Sequence, residues 1–157
     1  MIPATVAGAN VTEEEGDAFL LSSLTCPNMF QAEQRRAHGV PVWQYRYFGD
    51  WDNLHLYNGS GAYHGTDVQM LFANADTVSG IPSSDPENNM EKVMQHAWAV
   101  FAADPPKGLF RLGWPEFSSS NETLVRLAYE NQPRVGFVYP SMYDDPCSTV
   151  EFGAYAT

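Results

Sequence analysis

Residues 40–48 constrain the fold of this chain more than any other segment. Their sequence, VPVWQYRYF, is apolar or aromatic at nearly every position, and Trp43, Tyr45 and Tyr47 fall on one face of an extended strand. Val42, Gln44, Arg46 and Phe48 fall on the opposite face. A strand with two largely apolar faces is usually buried on both sides, as in a sheet covered by helices. The segment therefore predicts an α/β protein with this strand inside its sheet.

Two helices of ordinary length are predicted on either side of that strand. The first covers residues 27–38, with Pro27 in its first turn, Arg35 and Arg36 in its last turn, and Gly39 as its stop. The second covers residues 86–103, and Asp85 is its predicted N-cap. Its apolar residues form a single stripe of helical spacing: Met90, Val93, Met94, Ala97, Trp98 and Phe101. His96 lies off that stripe and is expected to be exposed.

The remaining segments carry weaker signals. The acidic run at residues 13–17 is interpreted as the solvated start of a helix, and residues 74–86 are predicted to form a loop. Residues 109–120 look irregular. Residues 124–129 and 135–139 are two short strand candidates, and together they are predicted to form an edge hairpin.

Charge restricts the classes of partner. The 157 residues carry 8 basic and 19 acidic side chains, a formal net charge of −11. Nucleic acid and anionic membranes repel such a chain, so neither is expected as a partner. No apolar run approaches the roughly 20 residues that span a bilayer.

Several short signals point to a secreted protein. Cys26 and Cys147 are the only cysteines, and sequons for N-glycosylation begin at Asn10, Asn58 and Asn121. The first residues lack the basic and apolar regions of a signal peptide. Together these observations lead us to expect that the true beginning of the protein lies upstream of this chain.

The loop at residues 57–67 contains the best candidate for a reactive group. Its sequence, YNGSGAYHGTD, sets His64 among small residues between the predicted strand and an apolar helical segment. Strand-to-helix crossings are where α/β enzymes hold reactive side chains, and histidine exchanges protons near neutral pH. Without further context, a histidine hydrogen-bonded within a turn is the more ordinary explanation. His38 and His55 show no partner pattern, and no metal-ligand spacing or cofactor motif is present.

From about residue 25 to residue 147, the chain resembles the carboxyl-terminal third of type B carboxylesterases, the group that includes cholinesterases and fungal lipases. The resemblance is carried by the order and spacing of several segments: LTCP at 24–27, VPVWQYRYF at 40–48, GAYHGTD at 61–67, the helix at 86–103, WPEF at 114–117 and the closing hairpin. It implies that residues 1–157 are part of an α/β-hydrolase domain, with an incomplete central sheet, packed helices and an edge hairpin.

The resemblance also implies roles for individual residues. His64 corresponds to the histidine of a serine, histidine and acid triad that cleaves carboxylic esters. Asp67 corresponds to a second acidic residue that supports the loop, and Cys26 and Cys147 correspond to a disulfide. The implied substrate is a small-molecule or lipid ester, without a cofactor or metal, and the implied location is extracellular.

The chain lacks the other parts of that triad. In this fold the partners come in the order serine, acid, histidine, so both should precede His64. No Gly-x-Ser-x-Gly elbow and no glycine-rich oxyanion segment occurs, and Ser60 lacks the elbow's spacing, which favours a turn residue. The acids at residues 13–17 lie too close to Cys26 to be the triad acid.

Two interpretations follow. The chain is the histidine-bearing segment of a serine carboxylesterase or lipase, with the amino-terminal part of the same fold as its partner. The alternative is a truncated, inactive fragment or a cholinesterase-like binding module. Since the strand at residues 40–48 would lack sheet neighbours, the isolated chain is expected to be marginally stable or prone to association.

Overall fold

The computed structural model describes residues 12–150, together with the backbone of two short antiparallel strands, β1 (Thr5–Val6) and β2 (Ala9–Asn10). Helix α1 (Glu13–Leu20) begins at Thr12, whose side chain forms a capping box with Glu15. The expectation of a helix start in the acidic run is therefore confirmed.

Helix α1 continues without a break into the next helix. A π-helical turn (Leu21–Thr25) joins it to α2 (Cys26–Ala37). Gly39 follows with a φ of 72°, a left-handed conformation that glycine adopts without strain. The predicted helix at 27–38 is thus confirmed to within one residue at each end.

Three strands form a mixed sheet in the order β3 (Gln44–Tyr47), β4 (Leu124–Leu127), β5 (Val135–Val138). Strand β4 pairs in parallel with β3 and antiparallel with β5. The predicted hairpin is confirmed, but its first strand is the buried middle strand of the sheet and only β5 lies at an edge.

The strand at residues 40–48 does not have the burial on both faces that is usual for such a sequence, in keeping with the expectation that it would lack sheet neighbours in this chain. Only Gln44–Tyr47 is a strand, Arg46 is exposed, and 38% of the Tyr45 surface is accessible. Among the described residues, β3 pairs with β4 alone, so its other edge has no neighbouring strand. We call this edge the free edge of β3. Without a strand beyond it, side chains suited to a sheet interior remain open to solvent.

The longest helix supplies much of the hydrophobic core. Helix α5 (Asp85–Ala103) buries Met90, Met94 and Ala97 completely, against Trp51, Leu127 and others. The predicted stripe is confirmed except at its end, where Phe101 is 42% exposed. His96 is exposed, as expected.

The N-cap of α5 differs from the prediction. Ser84 is the cap rather than Asp85, because Glu87 stands three residues after Ser84 and completes a capping box. The Glu87 N–H donates to the Ser84 hydroxyl at 3.4 Å, and the Ser84 N–H donates to the Glu87 carboxylate at 3.0 Å.

The segment at residues 74–86 is not a loop throughout. After α3 (Thr66–Phe72) comes α4 (Ala75–Ser79), a single short helix that ends at Gly80, φ 72°. The Ser79 hydroxyl donates to the Ala75 carbonyl at 2.8 Å, and Ala75 is fully buried. Burial of one small side chain thus favours a helical turn in a polar sequence.

Two further helices complete the described chain. Helix α6 (Gly108–Arg111) begins the segment predicted to be irregular, and α7 (Ser141–Asp144) follows β5. Cys147 lies just beyond α7 and forms a disulfide with Cys26 at the start of α2. Within residues 12–150 and the two short strands, we find no helix with the length and apolarity that a bilayer crossing requires.

Candidate active site

The segment of residues 61–67, which we call the histidine loop, owes its shape to its glycines. Gly61 and Gly65 have φ values of 60° and 95°, in the left-handed region that glycine enters without strain. Between them, the Tyr63 carbonyl accepts hydrogen bonds from the Thr66 N–H at 3.1 Å and from the Thr66 hydroxyl at 2.7 Å. These bonds close the turn from which α3 begins and place His64 on its outside.

His64 is exposed and its imidazole is free. Its ring makes no hydrogen bond or ion pair with any described residue, and it lines a cavity of about 690 Å³. We call this the histidine cavity. An imidazole without a competing partner, open to a cavity, is available to accept or donate a proton. The expectation of a histidine bonded within the turn does not describe this side chain.

The histidine cavity lies along β3, with α2 on one side and the histidine loop on the other. Two carboxylates line it, those of Asp67 and Asp144. The side chain of Gln44 also lines it, and its carbonyl oxygen is buried without a hydrogen-bond partner.

Asp67 is held by the sheet rather than by His64. Its Oδ2 accepts a hydrogen bond of 2.7 Å from the Tyr45 hydroxyl, so the first turn of α3 is tied directly to β3. Burial raises the pKa of the Tyr45 hydroxyl, and the bond to Asp67 raises it further. Tyr45 therefore remains a hydrogen-bond donor at neutral pH.

Asp144 is the more deeply buried of the two carboxyls, at 8% exposure. Its pKa is raised to about 6: burial is the main cause, the positive charge of Arg46 opposes it, and the negative charges of Glu33 and Asp145 add to it. Its Oδ2 is buried and has no hydrogen-bond partner within the described part of the chain. No sequence pattern pointed to Asp144, because α7 brings it to the cavity from a distant part of the chain.

No serine is among the described residues that line the histidine cavity. Ser60 is 3% exposed; its hydroxyl accepts the Leu56 N–H at 3.1 Å, and its own N–H donates to the Tyr57 carbonyl at 3.0 Å. It is a turn residue, as the sequence favoured. The described site therefore holds an unpaired imidazole with no serine beside it.

Two other histidines have partners that the sequence did not indicate. His55 Nε2 lies 2.5 Å from the Asp50 carboxylate, and His38 Nδ1 lies 2.7 Å from the Gln34 carbonyl. Among residues 12–150, no group of three histidine, cysteine, aspartate or glutamate side chains is arranged to hold a metal ion.

The sequons lie in different settings. Asn58 is exposed in the turn before the histidine loop. Asn121 is also exposed, and its side-chain amide donates to the Ser118 hydroxyl at 3.2 Å. The side chain of Asn10 lies outside the described residues.

Comparison with known proteins places this site in a family. The sequence model of the carboxylesterase family matches residues 8–144, which include the whole histidine loop. Secreted lipase 5 of Gibberella zeae is 32% identical over 131 residues, covering 82% of this chain and 24% of that protein. Chlorogenic acid esterase of Aspergillus niger is 26% identical over 141 residues, covering 80% of this chain and 27% of that protein.

The chain thus spans about a quarter of the length of these relatives. No solved structure gives a significant match. The small mixed sheet and its packed helices agree with an incomplete α/β-hydrolase fold. On the extent of the family match, this chain belongs to the carboxylesterase family.

Proposed function

We propose that this chain is the histidine-bearing carboxyl-terminal portion of a serine carboxylic ester hydrolase, and that His64 is its general base. One observation carries the proposal: within a family match that spans residues 8–144, the imidazole of His64 stands free at a cavity on the free edge of β3. The family match and the esterase and lipase relatives favour this function over an inactive binding module.

The chemistry assigned to His64 is proton transfer. Its imidazole would take the proton from a serine hydroxyl as that oxygen attacks the ester carbonyl, and would then return the proton to the leaving alcohol. The serine, the triad acid and the oxyanion donors would come from the preceding portion of the fold, in keeping with the order serine, acid, histidine. Asp67 would hold the loop, since its carboxylate is already bonded to Tyr45.

The free edge of β3 is where that preceding portion would join. A second cavity, of about 250 Å³, shares Trp43, Gln44 and Tyr45 with the histidine cavity, so the two flank this edge. A strand added there would bond the unpaired backbone of β3 and cover its aromatic side chains. The partner is therefore a strand-bearing portion of the same fold, and the substrate a small-molecule or lipid ester.

An extracellular location accompanies this function. One relative is named as a secreted lipase, and the Cys26–Cys147 disulfide suits an oxidising compartment. N-glycosylation at Asn58 and Asn121 is compatible with their exposure, and Asn10 is proposed from its sequon alone.

The test is hydrolysis of a short-chain aryl ester by the chain alone, and by the chain combined with a serine-bearing amino-terminal portion of a carboxylesterase. We expect activity only in the combination, together with labelling of its serine by a fluorescent organophosphonate. His64→Ala should reduce kcat by about 10⁶-fold, the loss typical when a triad histidine is removed. His96→Ala, an exposed histidine on α5, is the matched control.

Two results would contradict the proposal. Restored activity that survives His64→Ala would remove His64 from the chemistry. A serine labelled in the folded chain alone would show that this segment builds its own nucleophile, and the division of the triad between two portions would be wrong.

A further inference from the structure

The histidine loop makes few hydrogen bonds to the rest of the protein. Within residues 61–67, the backbone bonds of Tyr63 and Thr66 are all local to the loop. Among the described residues, one hydrogen bond connects this segment to a different element of the fold, the 2.7 Å bond from the Tyr45 hydroxyl to Asp67. No ion pair joins the loop to any described residue. Besides the burial of Thr66 and the continuation of the chain into α3, the Tyr45–Asp67 bond is thus the described hydrogen-bonded link that orients the loop against the sheet.

The ring of Tyr45 is itself held in place by a contact with α5. Its ring packs edge-to-face against Trp98 of α5, with centroids 5.0 Å apart and planes at 79°. Aromatic pairs prefer this edge-to-face geometry, in which the edge of one ring meets the face of the other. The ring of Tyr45 thus holds its hydroxyl at a defined place between α5 and α3.

The hydrogen bond from the Tyr45 hydroxyl to Asp67 also belongs to a strong class of hydrogen bond. A hydroxyl that donates to an ionised carboxylate makes a charge-assisted hydrogen bond, roughly twice as strong as a neutral one. The pKa of the Tyr45 hydroxyl is raised above its ordinary value of 10.0, so the donor is protonated at neutral pH and stays so well into the alkaline range. Asp67 stands three residues after His64, with the left-handed Gly65 between them, so a displacement of Asp67 moves the loop that carries His64.

We infer that Tyr45 is a positioning residue for His64, acting through Asp67. It does not touch the reacting atoms; it fixes the histidine loop against β3, and α5 fixes it in turn. The catalytic consequence rests on the proposed function, whereas the positioning itself is a property of this chain and is measurable without any esterase activity.

The experiment is nuclear magnetic resonance of the 157-residue chain, with Tyr45→Phe compared with the wild type. The substitution keeps the ring against Trp98 and removes only the hydroxyl. We expect the imidazole ring signal of His64 to shift and the amides of residues 63–68 to exchange faster. The ring signals of His38, His55 and His96 should stay unchanged, since a general loss of stability would affect them as well.

A double-mutant cycle tests whether Tyr45 affects His64 through Asp67 or independently of it. Asp67→Asn should perturb the His64 signal, and Tyr45→Phe added to Asp67→Asn should perturb it little further. Tyr57→Phe is the matched control, because Tyr57 precedes the same loop and its hydroxyl bonds to no described residue. Additive effects, or a His64 signal unchanged in Tyr45→Phe, would overturn the inference.

The catalytic effect is measured in the enzyme formed by combining this chain with the serine-bearing portion. There, Tyr45→Phe should lower kcat by about tenfold to a hundredfold while KM stays nearly constant, as expected when a reacting group is displaced. If the combined protein is inactive, the proposed function fails while the resonance result still decides the role of Tyr45. If it is active and Tyr45→Phe has the kcat of the wild type, the catalytic consequence of the positioning is refuted.

Discussion

At the scale of single residues, Asp144 is a carboxyl group whose ionisation the fold makes less favourable. Its carboxyl is 8% exposed, one of its oxygens has no hydrogen-bond partner, and its pKa is raised to about 6. The positive charge of Arg46 acts against this shift, and its guanidinium lies 4.6 Å from the centre of the Tyr143 ring. Burial thus opposes the ionisation of Asp144 in the folded protein, and the positive charge of Arg46 offsets only part of that effect.

A raised pKa makes stability depend on pH with a definite sign. Between the ordinary aspartate pKa of 3.8 and about 6, folded Asp144 retains a proton that the unfolded chain has released. The free energy of unfolding therefore falls as the pH rises through this window and stays lower above it. Asp144→Asn removes this loss and should stabilise the protein at pH 7 by about 1–2 kcal/mol. At pH 4 the effect should be small.

Urea unfolding followed by circular dichroism at pH 4, 5, 6 and 7 measures this effect. Asp52→Asn, which changes an exposed aspartate, should leave the profile as it is in the wild type. An Asp144→Asn protein that is less stable at pH 7, or that keeps the wild-type slope between pH 4 and 6, would contradict the assigned pKa.

At the scale of secondary-structure elements, the contact of α6 with α5 depends on one glycine. Gly108 is buried, and a Cβ atom at this position would meet the backbone carbonyl of Val100 as well as its side chain. A backbone carbonyl inside a helix cannot move aside as the tip of a flexible side chain can. The two helices come this close because position 108 has no side chain.

Gly108→Ala should therefore force α6 away from α5 and destabilise the protein by about 1–3 kcal/mol, the usual cost of overpacking. Gly136→Ala is its matched control, because nothing lies within 4 Å of the added methyl group. The control should be neutral or slightly stabilising, since alanine restricts the unfolded chain. Thermal unfolding of both variants decides the point, and equal melting temperatures would refute the packing argument.

At the scale of the whole molecule, the disulfide connects the start of α2 to the segment just beyond α7, across 121 positions of the sequence. Both cysteines are buried. The described chain has only three strands in its main sheet and leaves the free edge of β3 open. A covalent link that restricts the unfolded chain is therefore a large part of its stability.

Loss of the disulfide should cost roughly 5 kcal/mol on loop entropy alone, comparable to the total stability of many domains. We expect reduction, or replacement of Cys26 and Cys147 by serine, to unfold the chain at temperatures where the oxidised form is folded. Circular dichroism with and without reductant tests this. The doubly substituted protein should not respond to reductant, and an oxidised and a reduced chain of equal melting temperature would show that the link is dispensable.

Much of the fold was predictable because local patterns and core packing agree. The stripe Met90, Met94 and Ala97 has helical spacing, and the core receives that face. One wrong prediction missed a local pattern and another missed a tertiary contact. Ser84 is the N-cap because Glu87, three residues later, completes a capping box with it. Ala75 begins a helix because its side chain is buried in the core, a contact that the local sequence does not specify.

The sequence by itself determined the two long helices, the strand segments, the family resemblance and His64 as the candidate base, because spacing and residue type are local properties of the chain. Only the tertiary structure decided that Tyr45 bonds to Asp67, that Asp144 reaches the histidine cavity, and that β3 has a free edge. The first two bring together residues far apart in the sequence, and the third depends on which strands pair. Long-range contacts of this kind are fixed by the packing of the sheet and helices together.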